Sequence, residues 1–359
     1  MYALKIIGII IGIFIAIIAL GLWYASIQIR PSKLAAFIRD NPDKASIYLM
    51  QNDSVLADVN SGRVMPLAST VKIIIAIEYA HQAATGRISP DEMIDTAEPG
   101  KYYIPNTDGG AHPMWLKSMT EKKLVSNGKV RLEEIAKGMM VYSSNANTEY
   151  LMEKLGLDRI NGNLAKLGLA QHQLLYPLAS VLLVCNGKTE GQLQQMPLAE
   201  YIDSSYAIHK RLQANETAIK DHVKQMPRGV QKIISDRLPC GTAKEYVSIM
   251  KKINSRTYFD SATQKNLEIL MEGLMENPKN RTWLAHAGMK GGSTAFVLTK
   301  ALYATTIKGD KTELAYFLNN LTFTQKMFLH AAMNEFELNI LADKEKRNEL
   351  LAIINSPRP

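Results

Sequence analysis

The chain's apolar positions change period along its length, and each change marks a different element. From Ile6 to Ile29 there is no charge, and the run IIGIIIGIFIAIIALGLWYASI is long enough to cross a bilayer as one helix. Trp23 and Tyr24 fall where an interfacial aromatic belt belongs, with Lys5 before the run and Arg30 after it. A cleaved signal peptide is the competing reading, with Ala19-Leu20-Gly21 as a poor cleavage site and an apolar run longer than a usual signal core. Either way residues 1–29 predict export, and the single-pass anchor is the preferred form. Residues 30–44 are polar and predict a connector carrying one short helix.

Two short strand-like runs follow. Ala45–Gln51 ends in the turn signal Asn52-Asp53, and Ser54–Val59 ends in Asn60-Ser61-Gly62, so the pair predicts a hairpin. After Pro66 the period changes. Val71 to Ala80 is apolar almost all round, which predicts a buried helix ending near Gly86. Helical patterns then dominate: Arg131–Val141, Ala146–Leu155, Pro197–Met226, Ala243–Ile253 and Ala262–Met275. Strand signals return at Ala295–Thr306 and Glu313–Asn320, joined by the turn Lys308-Gly309-Asp310-Lys311. A last helical stretch runs from Thr324 to about Leu351. Strands at both ends with helices between predict an α/β (α+β) fold. One sheet is built from both ends of the chain, and an all-helical lobe at about 87–284 is inserted into it. A site belongs in the crevice between the two lobes.

Composition narrows the function classes. With 47% hydrophobic and 21% charged residues among 359, disorder is excluded. The net charge of +8 is scattered among acidic residues, with no basic stripe interleaved with aromatics. That argues against nucleic acid and leaves an anionic membrane or wall polymer, or simply a solvated basic surface. Cys185 and Cys240 form no metal pattern and no disulfide framework; they either pair outside the cell or act as small buried hydrophobes. No metal-ligand cluster, phosphate-cradling loop or nucleotide fingerprint is present, so no cofactor and no metal is expected.

Three motifs carry chemistry. Ser69-Thr70-Val71-Lys72 places a lysine one helical turn from a serine, so the amine can reach the hydroxyl. A serine needs a base, and a lysine serves when burial or a second cation lowers its pKa. The spacing alone is weak, since Ser126–Lys129 and Ser248–Lys251 share it. Only Ser69 opens a buried helix directly after a strand pair; its structural alternative is a helix cap. Tyr142-Ser143-Ser144-Asn145-Ala146-Asn147 lies between two helical stretches, where a loop serine and asparagine offer a proton relay and an amide grip, or a second cap. Gly288-Met289-Lys290-Gly291-Gly292-Ser293-Thr294 leads into a strand, and its glycines suggest close backbone approach at a sheet edge.

In this order, on an exported chain, the three motifs resemble the serine β-lactamase and penicillin-binding protein superfamily, with its S-x-x-K, S-D-N and K-T-G signature. The inserted helical lobe makes the class A β-lactamase branch the nearest likeness, over roughly residues 45–340. The resemblance implies an antiparallel sheet and assigns roles residue by residue. Ser69 is the acylated nucleophile, Lys72 its base, and Ser143 the relay to the leaving nitrogen. Asn145 holds the substrate amide and Lys290 the substrate carboxylate. Gly292 lets the substrate approach, and the Ser69 and Ser293 backbone N–H groups form the oxyanion hole. The implied substrate is a small molecule or peptide: a β-lactam, a D-Ala-D-Ala-like peptide or a related amide or ester. The implied location is the cell membrane, with the catalytic domain on the extracytoplasmic side.

The pattern also departs from the family. Ser144 stands where the family has Asp, and Gly291 where it has Thr or Ser. The deacylating glutamate of class A enzymes has no counterpart, because Arg159 to Thr189 contain no Asp or Glu and the corresponding stretch Leu174–Ala179 is apolar. Asp108 and His112, in the Gly-containing segment Tyr102–Trp115, are auxiliary candidates for activating water; the alternative is a structured surface loop. His286 shares a strand face with Lys290 and reads as structural. The sequence therefore predicts acylation without the usual deacylation. A membrane-anchored sensor that stays acylated, or a binding scaffold, is the alternative.

Overall fold

The computed structural model describes residues 30–220 and 226–358. The apolar run Ile6–Ile29 lies outside them. Among the described residues no helix is long and apolar enough to cross a membrane.

The centre is a five-stranded antiparallel sheet. Its strands are β1 (Ala45–Gln51), β2 (Ser54–Val59), β3 (Leu284–Ser293), β4 (Leu298–Thr306) and β5 (Lys311–Leu318), in the order β2-β1-β5-β4-β3. Both ends of the chain supply it, as the strand signals predict. Side chains alternate between its faces. Ile47, Leu49, Leu298, Leu302, Leu314 and Tyr316 point to one side; Tyr48, Ala301, Tyr303, Ala315 and Phe317 point to the other.

The first face is covered by α1 (Pro31–Asp40), a helix from the end of the chain (Phe323–Ala342) and one after it (Lys344–Asn355). The short helix expected in the connector is present, and it is packed rather than free: Leu34, Ala35 and Ile38 of α1 have no exposure. The final stretch is two helices, because Asp343 breaks the first and caps the second through the Glu345 and Lys346 N–H groups.

The second face carries the larger core, with α2 (Lys72–Ala84) at its centre. Ile73, Ile74 and Ile75 are all fully buried, which explains a sequence apolar on every side. Around α2 pack α3 (Ala111–Glu121), α4 (Leu132–Lys137), α5 (Asn145–Leu155), α6 (Leu157–Leu167), α7 (Leu198–Gln213), α8 (Arg228–Asp236), α9 (Ala243–Ser255) and α10 (Ser261–Met271). The two terminal helices are α11 (Phe323–Ala342) and α12 (Lys344–Asn355).

Three boundaries differ from expectation. The inserted lobe is not all helical, since Met93–Asp95 pairs with Lys129–Arg131. The pattern over Pro197–Met226 holds one helix only to Gln213. The Lys290 segment is itself edge strand β3, and the next strand starts at Leu298 because Thr294 turns the chain by accepting the Phe296 and Val297 N–H groups.

Candidate active site

The turn that carries Ser69 is pinned from three sides. Met65–Pro66 pairs with Cys240–Gly241, and the Leu67 N–H donates to the Pro239 carbonyl. Ala68 has φ +45°, a left-handed conformation that costs a non-glycine residue about 1 kcal/mol. It swings Ser69 onto a short 3-10 turn, Ala68–Val71, that runs into α2. Thr70 Oγ1 meets Thr299 Oγ1 at 2.5 Å, and Thr299 Oγ1 donates to the Leu67 carbonyl at 2.9 Å, which ties the turn to β4. A Cβ on Gly292 would lie 2.6 Å from the Ser69 nitrogen and 2.8 Å from the Leu67 carbonyl. Only glycine allows β3 to come this close, bringing the Ser69 and Ser293 backbones together.

The second motif is presented by an unusual turn. One π-helical turn, Gly138–Tyr142, follows α4, and Ser143 then takes φ +64°. Ser144 caps α5, its hydroxyl accepting the Asn147 N–H. Ser143 and Asn145 are left facing Lys72. The Lys72 ammonium donates to the Ser143 carbonyl at 2.7 Å, Ser143 Oγ at 3.1 Å and Asn145 Oδ1 at 3.0 Å. Lys290, from β3, donates to the same Ser143 Oγ at 3.0 Å.

Lys72 is 1% exposed and all three of these partners are neutral oxygens. Burial first, and the Lys290 charge second, push its pKa well below the lysine range, against a smaller opposing pull from Asp108. Burial, and then the Lys300 charge, bring Lys290 down to about 7. Two buried amines on one hydroxyl form a group that can take up or release a proton near neutral pH.

Two cavities meet at Ser69. The larger, of about 630 Å³, is bounded by Ser69, Lys72, Asn145, Ser293 and the side chains Leu178, Leu182, Ile234 and Leu238. The smaller, of about 480 Å³, is bounded by Ser69, Ser143, Asn145, Gly291 and Ser293, and further out by Asp108, Lys300, Lys326 and His330. Lys300 pairs with Gly291 across the β3–β4 ladder, and Lys326 and His330 stand one turn apart on α11. Burial, Lys326 and Lys300 together lower the His330 pKa.

The structure thus gathers Ser69, Lys72, Ser143, Asn145, Lys290, Gly292 and Ser293. Lys290 itself is buried on Ser143; the basic side chains lining the smaller cavity are Lys326, His330 and Lys300, the last paired with Glu337 at 3.2 Å. Asp108 lines the smaller cavity while its carboxylate accepts the Gly110 and His112 N–H groups at the start of α3. The His112 ring is buried between Tyr103 and Trp115, with Nδ1 3.1 Å from both Ser144 Oγ and Asn147 Oδ1. It braces the start of α5 from behind, through Ser144 and Asn147. His286 sits beside Glu272 and Tyr303.

The other two S-x-x-K matches are elsewhere. Ser126 bridges to Lys129 in a tight turn, Ser248 accepts from Lys252, and Lys251 pairs with Asp53. Cys185 and Cys240 are unpaired thiols, pushed up in pKa by burial. Among the described residues no group of His, Cys, Asp or Glu is arranged to hold a metal.

The apolar stretch Leu174–Ala179 forms the cavity wall through Leu178. It is held by Glu149 of α5, whose buried carboxylate accepts the Ala179 and Ser180 N–H groups and the Ser180 hydroxyl. His209 Nδ1 adds a contact to Glu149 at 2.9 Å; these two carboxylates, Glu149 and Glu153, hold its pKa up against burial. Asn161 clamps Leu175 through both its N–H and its carbonyl, and the Tyr176 hydroxyl donates to the Arg237 carbonyl.

Comparison with solved structures gives the same fold. PBP-A aligns at 13% identity with a TM-score of 0.53, covering 87% of this chain and 96% of that one. An acyl-enzyme complex of penicillin G with a leucine-to-glutamate variant of PBP-A aligns at 14% and 0.52, with the same coverage. A β-lactamase from Sphaerobacter thermophilus aligns at 16% and 0.54, covering 86% and 95%. No curated protein matches the chain significantly. The family model described as the beta-lactamase enzyme family matches residues 30–310, which is most of the chain, and the protein belongs to that family.

Proposed function

We propose that this protein is a serine acyl-transfer hydrolase acylated on Ser69, tethered to the outer face of the cell membrane by residues 1–29. The observation that carries the reading is the meeting of Lys72 and Lys290 on Ser143 Oγ beside Ser69. Lys72, whose pKa burial and Lys290 lower, takes the Ser69 proton in its deprotonated form as Oγ bonds to the substrate carbonyl carbon. The oxyanion is met by the Ser69 and Ser293 N–H groups. The carbon–nitrogen or carbon–oxygen bond then breaks, and Ser143 hands the leaving atom a proton that Lys72 and Lys290 replace. Asn145 holds the amide of the acyl part. The leaving part, anionic as in a β-lactam or a D-Ala-D-Ala-like peptide, is drawn towards Lys326 and Lys300, with His330 beside them as a hydrogen-bonding group.

Deacylation is slow in this reading. No acid occurs between Arg159 and Thr189, and the wall there is Leu178 and Leu182. Asp108 is the carboxylate lining the smaller cavity and the candidate for placing water. The absent glutamate favours a second reading, a wall or β-lactam sensor that remains acylated.

The test is to mix the full chain with a reporter penicillin and follow intact mass, with Ser69→Ala as control. An adduct on Ser69 that persists for many minutes is expected, and loss of at least a thousandfold in its rate with Ser69→Ala. Equal labelling of wild type and variant, or none of either, overturns the proposal.

A further inference from the structure

We infer that His209 is a positioning residue: its ring, protonated on both nitrogens, locks the wall beside Ser69, and the wall loosens when the ring loses a proton. The kinetic half of this inference rests on the acylation proposed for Ser69, to which it adds a control by pH.

The geometry asks for a charged ring. Nδ1 stands 2.9 Å from Glu149 Oε1, and Nε2 stands 2.8 Å from Glu153 Oε2. A neutral imidazole has one N–H and one lone pair, so it would turn the lone pair onto one of the two carboxylates. Only the imidazolium donates to both. Glu149 has no exposure, and among the described residues His209 is the side chain that forms an ion pair with it. A buried carboxylate stripped of its cation is strongly disfavoured.

What Glu149 holds gives the ring its reach. Its carboxylate accepts the Ala179 N–H, the Ser180 N–H at 3.1 Å and the Ser180 hydroxyl. Leu178 and Leu182, which flank that pair, border the cavity at Ser69. Glu149 also stands one turn along α5 from Asn145, which Lys72 contacts at 3.0 Å. The imidazolium thus ties α7 to the carboxylate that joins the wall to the helix carrying Asn145.

The other groups around the ring leave this pairing undisturbed. His209 is buried and stacks on Tyr102, with centroids 5.1 Å apart. Glu98 pairs with Lys101 at 2.8 Å, Lys220 donates to the Gly100 carbonyl, and Gln213 donates to Glu153 Oε1 at 2.7 Å. On α7 itself, Asp203 and Lys210 are exposed and Arg211 pairs with Glu216. Burial pushes up the Tyr102 and Tyr150 phenols and the Cys185 thiol, so none of them gains charge where an imidazole titrates. Burial also works to lower the imidazole from its ordinary 6.5, but Glu149 and then Glu153 outweigh it and raise His209. The lock is therefore complete below the ordinary value and is lost as pH rises through the higher value of the folded state.

The experiment uses the full chain in lipid nanodiscs. Hydrogen exchange of the Ala179 and Ser180 amides is read by mass spectrometry from about pH 5.5 to about pH 9, each rate divided by its intrinsic value at that pH. Protection should fall about tenfold, the factor that one charged hydrogen bond gives, in a single-proton step centred above the ordinary imidazole value. His209→Gln, which cannot carry charge, should show low protection throughout and no step. Glu153→Gln, at a partly exposed carboxylate, should keep the step and move its midpoint to lower pH. In parallel, acylation by a reporter penicillin is measured on wild type and His209→Gln. Their rate ratio cancels the titration of Lys72 and Lys290, which both proteins share. It should be about tenfold in favour of wild type at the acid end and close to one at the alkaline end. Protection that ignores pH, a step that His209→Gln retains, or a midpoint that Glu153→Gln leaves in place overturns the lock. If His209→Gln does not fold, the midpoint in Glu153→Gln decides. A step accompanied by a rate ratio constant across pH sustains the lock and overturns the positioning role. A step with no acylation of either protein sustains the lock and overturns the Ser69 chemistry.

Discussion

Replacing Lys290 by Met should stabilise the fold, and by an amount that depends on pH in a set direction. In the folded protein burial, aided by Lys300, brings the Lys290 pKa from 10.5 to about 7. Between those pH values the unfolded chain binds a proton that the folded chain does not. Stability contributed by this site therefore rises with pH across that window, by about 1.4 kcal/mol per unit. A gap of roughly three and a half units sets a ceiling of about 5 kcal/mol on the penalty carried below pH 7. Methionine has similar length and no charge to desolvate, and losing the bond to Ser143 Oγ offsets about 1 kcal/mol. The assay is urea unfolding of residues 30–359, wild type and Lys290→Met, from pH 7 to 10.5. The variant should be the more stable at pH 7, and the difference should close as pH approaches 10.5. A difference that stays constant, or widens with pH, refutes the reasoning. Acylation should respond in the opposite sense. Without the Lys290 charge Lys72 holds its proton to higher pH, so the acid limb of the acylation profile should move up.

Three further substitutions probe the site. Gly292→Ala puts a methyl against the Ser69 nitrogen and the Leu67 carbonyl, and acylation measured by intact mass should fall about a hundredfold; Gly291→Ala, whose nearest neighbour is 3.4 Å away, should stay within about threefold. Asp108→Asn keeps an oxygen for the Gly110 and His112 N–H groups but removes the carboxylate. The acyl-enzyme should then live about a hundredfold longer, and an unchanged lifetime assigns the water to another group.

Local patterns carried much of this architecture. The hairpin Ala45–Val59, the buried helix after Ser69 and the C-terminal strands each show a period that one burial environment imposes. The Ser69, Ser143 and Lys290 motifs were legible because each sits at a junction where the period breaks. What stayed hidden depends on pairing between distant segments. Lys300 is a lone cation in an apolar strand, and only the β3–β4 register places it beside Gly291. Lys326 and His330 share a helix face four residues apart, yet nothing local points that face at Ser69. Glu149 looks like an ordinary helical glutamate, and its burial follows from the Ala179–Ser180 backbone folding onto it. His112 was legible as a special residue, but its direction, toward Ser144 and Asn147, was not. The connector's short helix is legible, but its packing is not, because α1 buries only one narrow stripe, Leu34, Ala35 and Ile38, in an otherwise polar segment.

The bond between Glu149 and the Ala179–Ser180 backbone has an evolutionary consequence. The helix that begins at Asn145 also carries the strut for the wall that holds Leu178, so the two are joined as one body. A substitution that reshapes the wall is felt at Asn145, and a change at the helix start is felt by the wall. Substrate range and turnover are then not free to drift apart, and adaptive paths through this region should show strong epistasis. Double-mutant cycles between Leu178 and Asn145 would depart from additivity, whereas cycles between Asn145 and Lys326, which sits on the separate helix α11, would come closer to it.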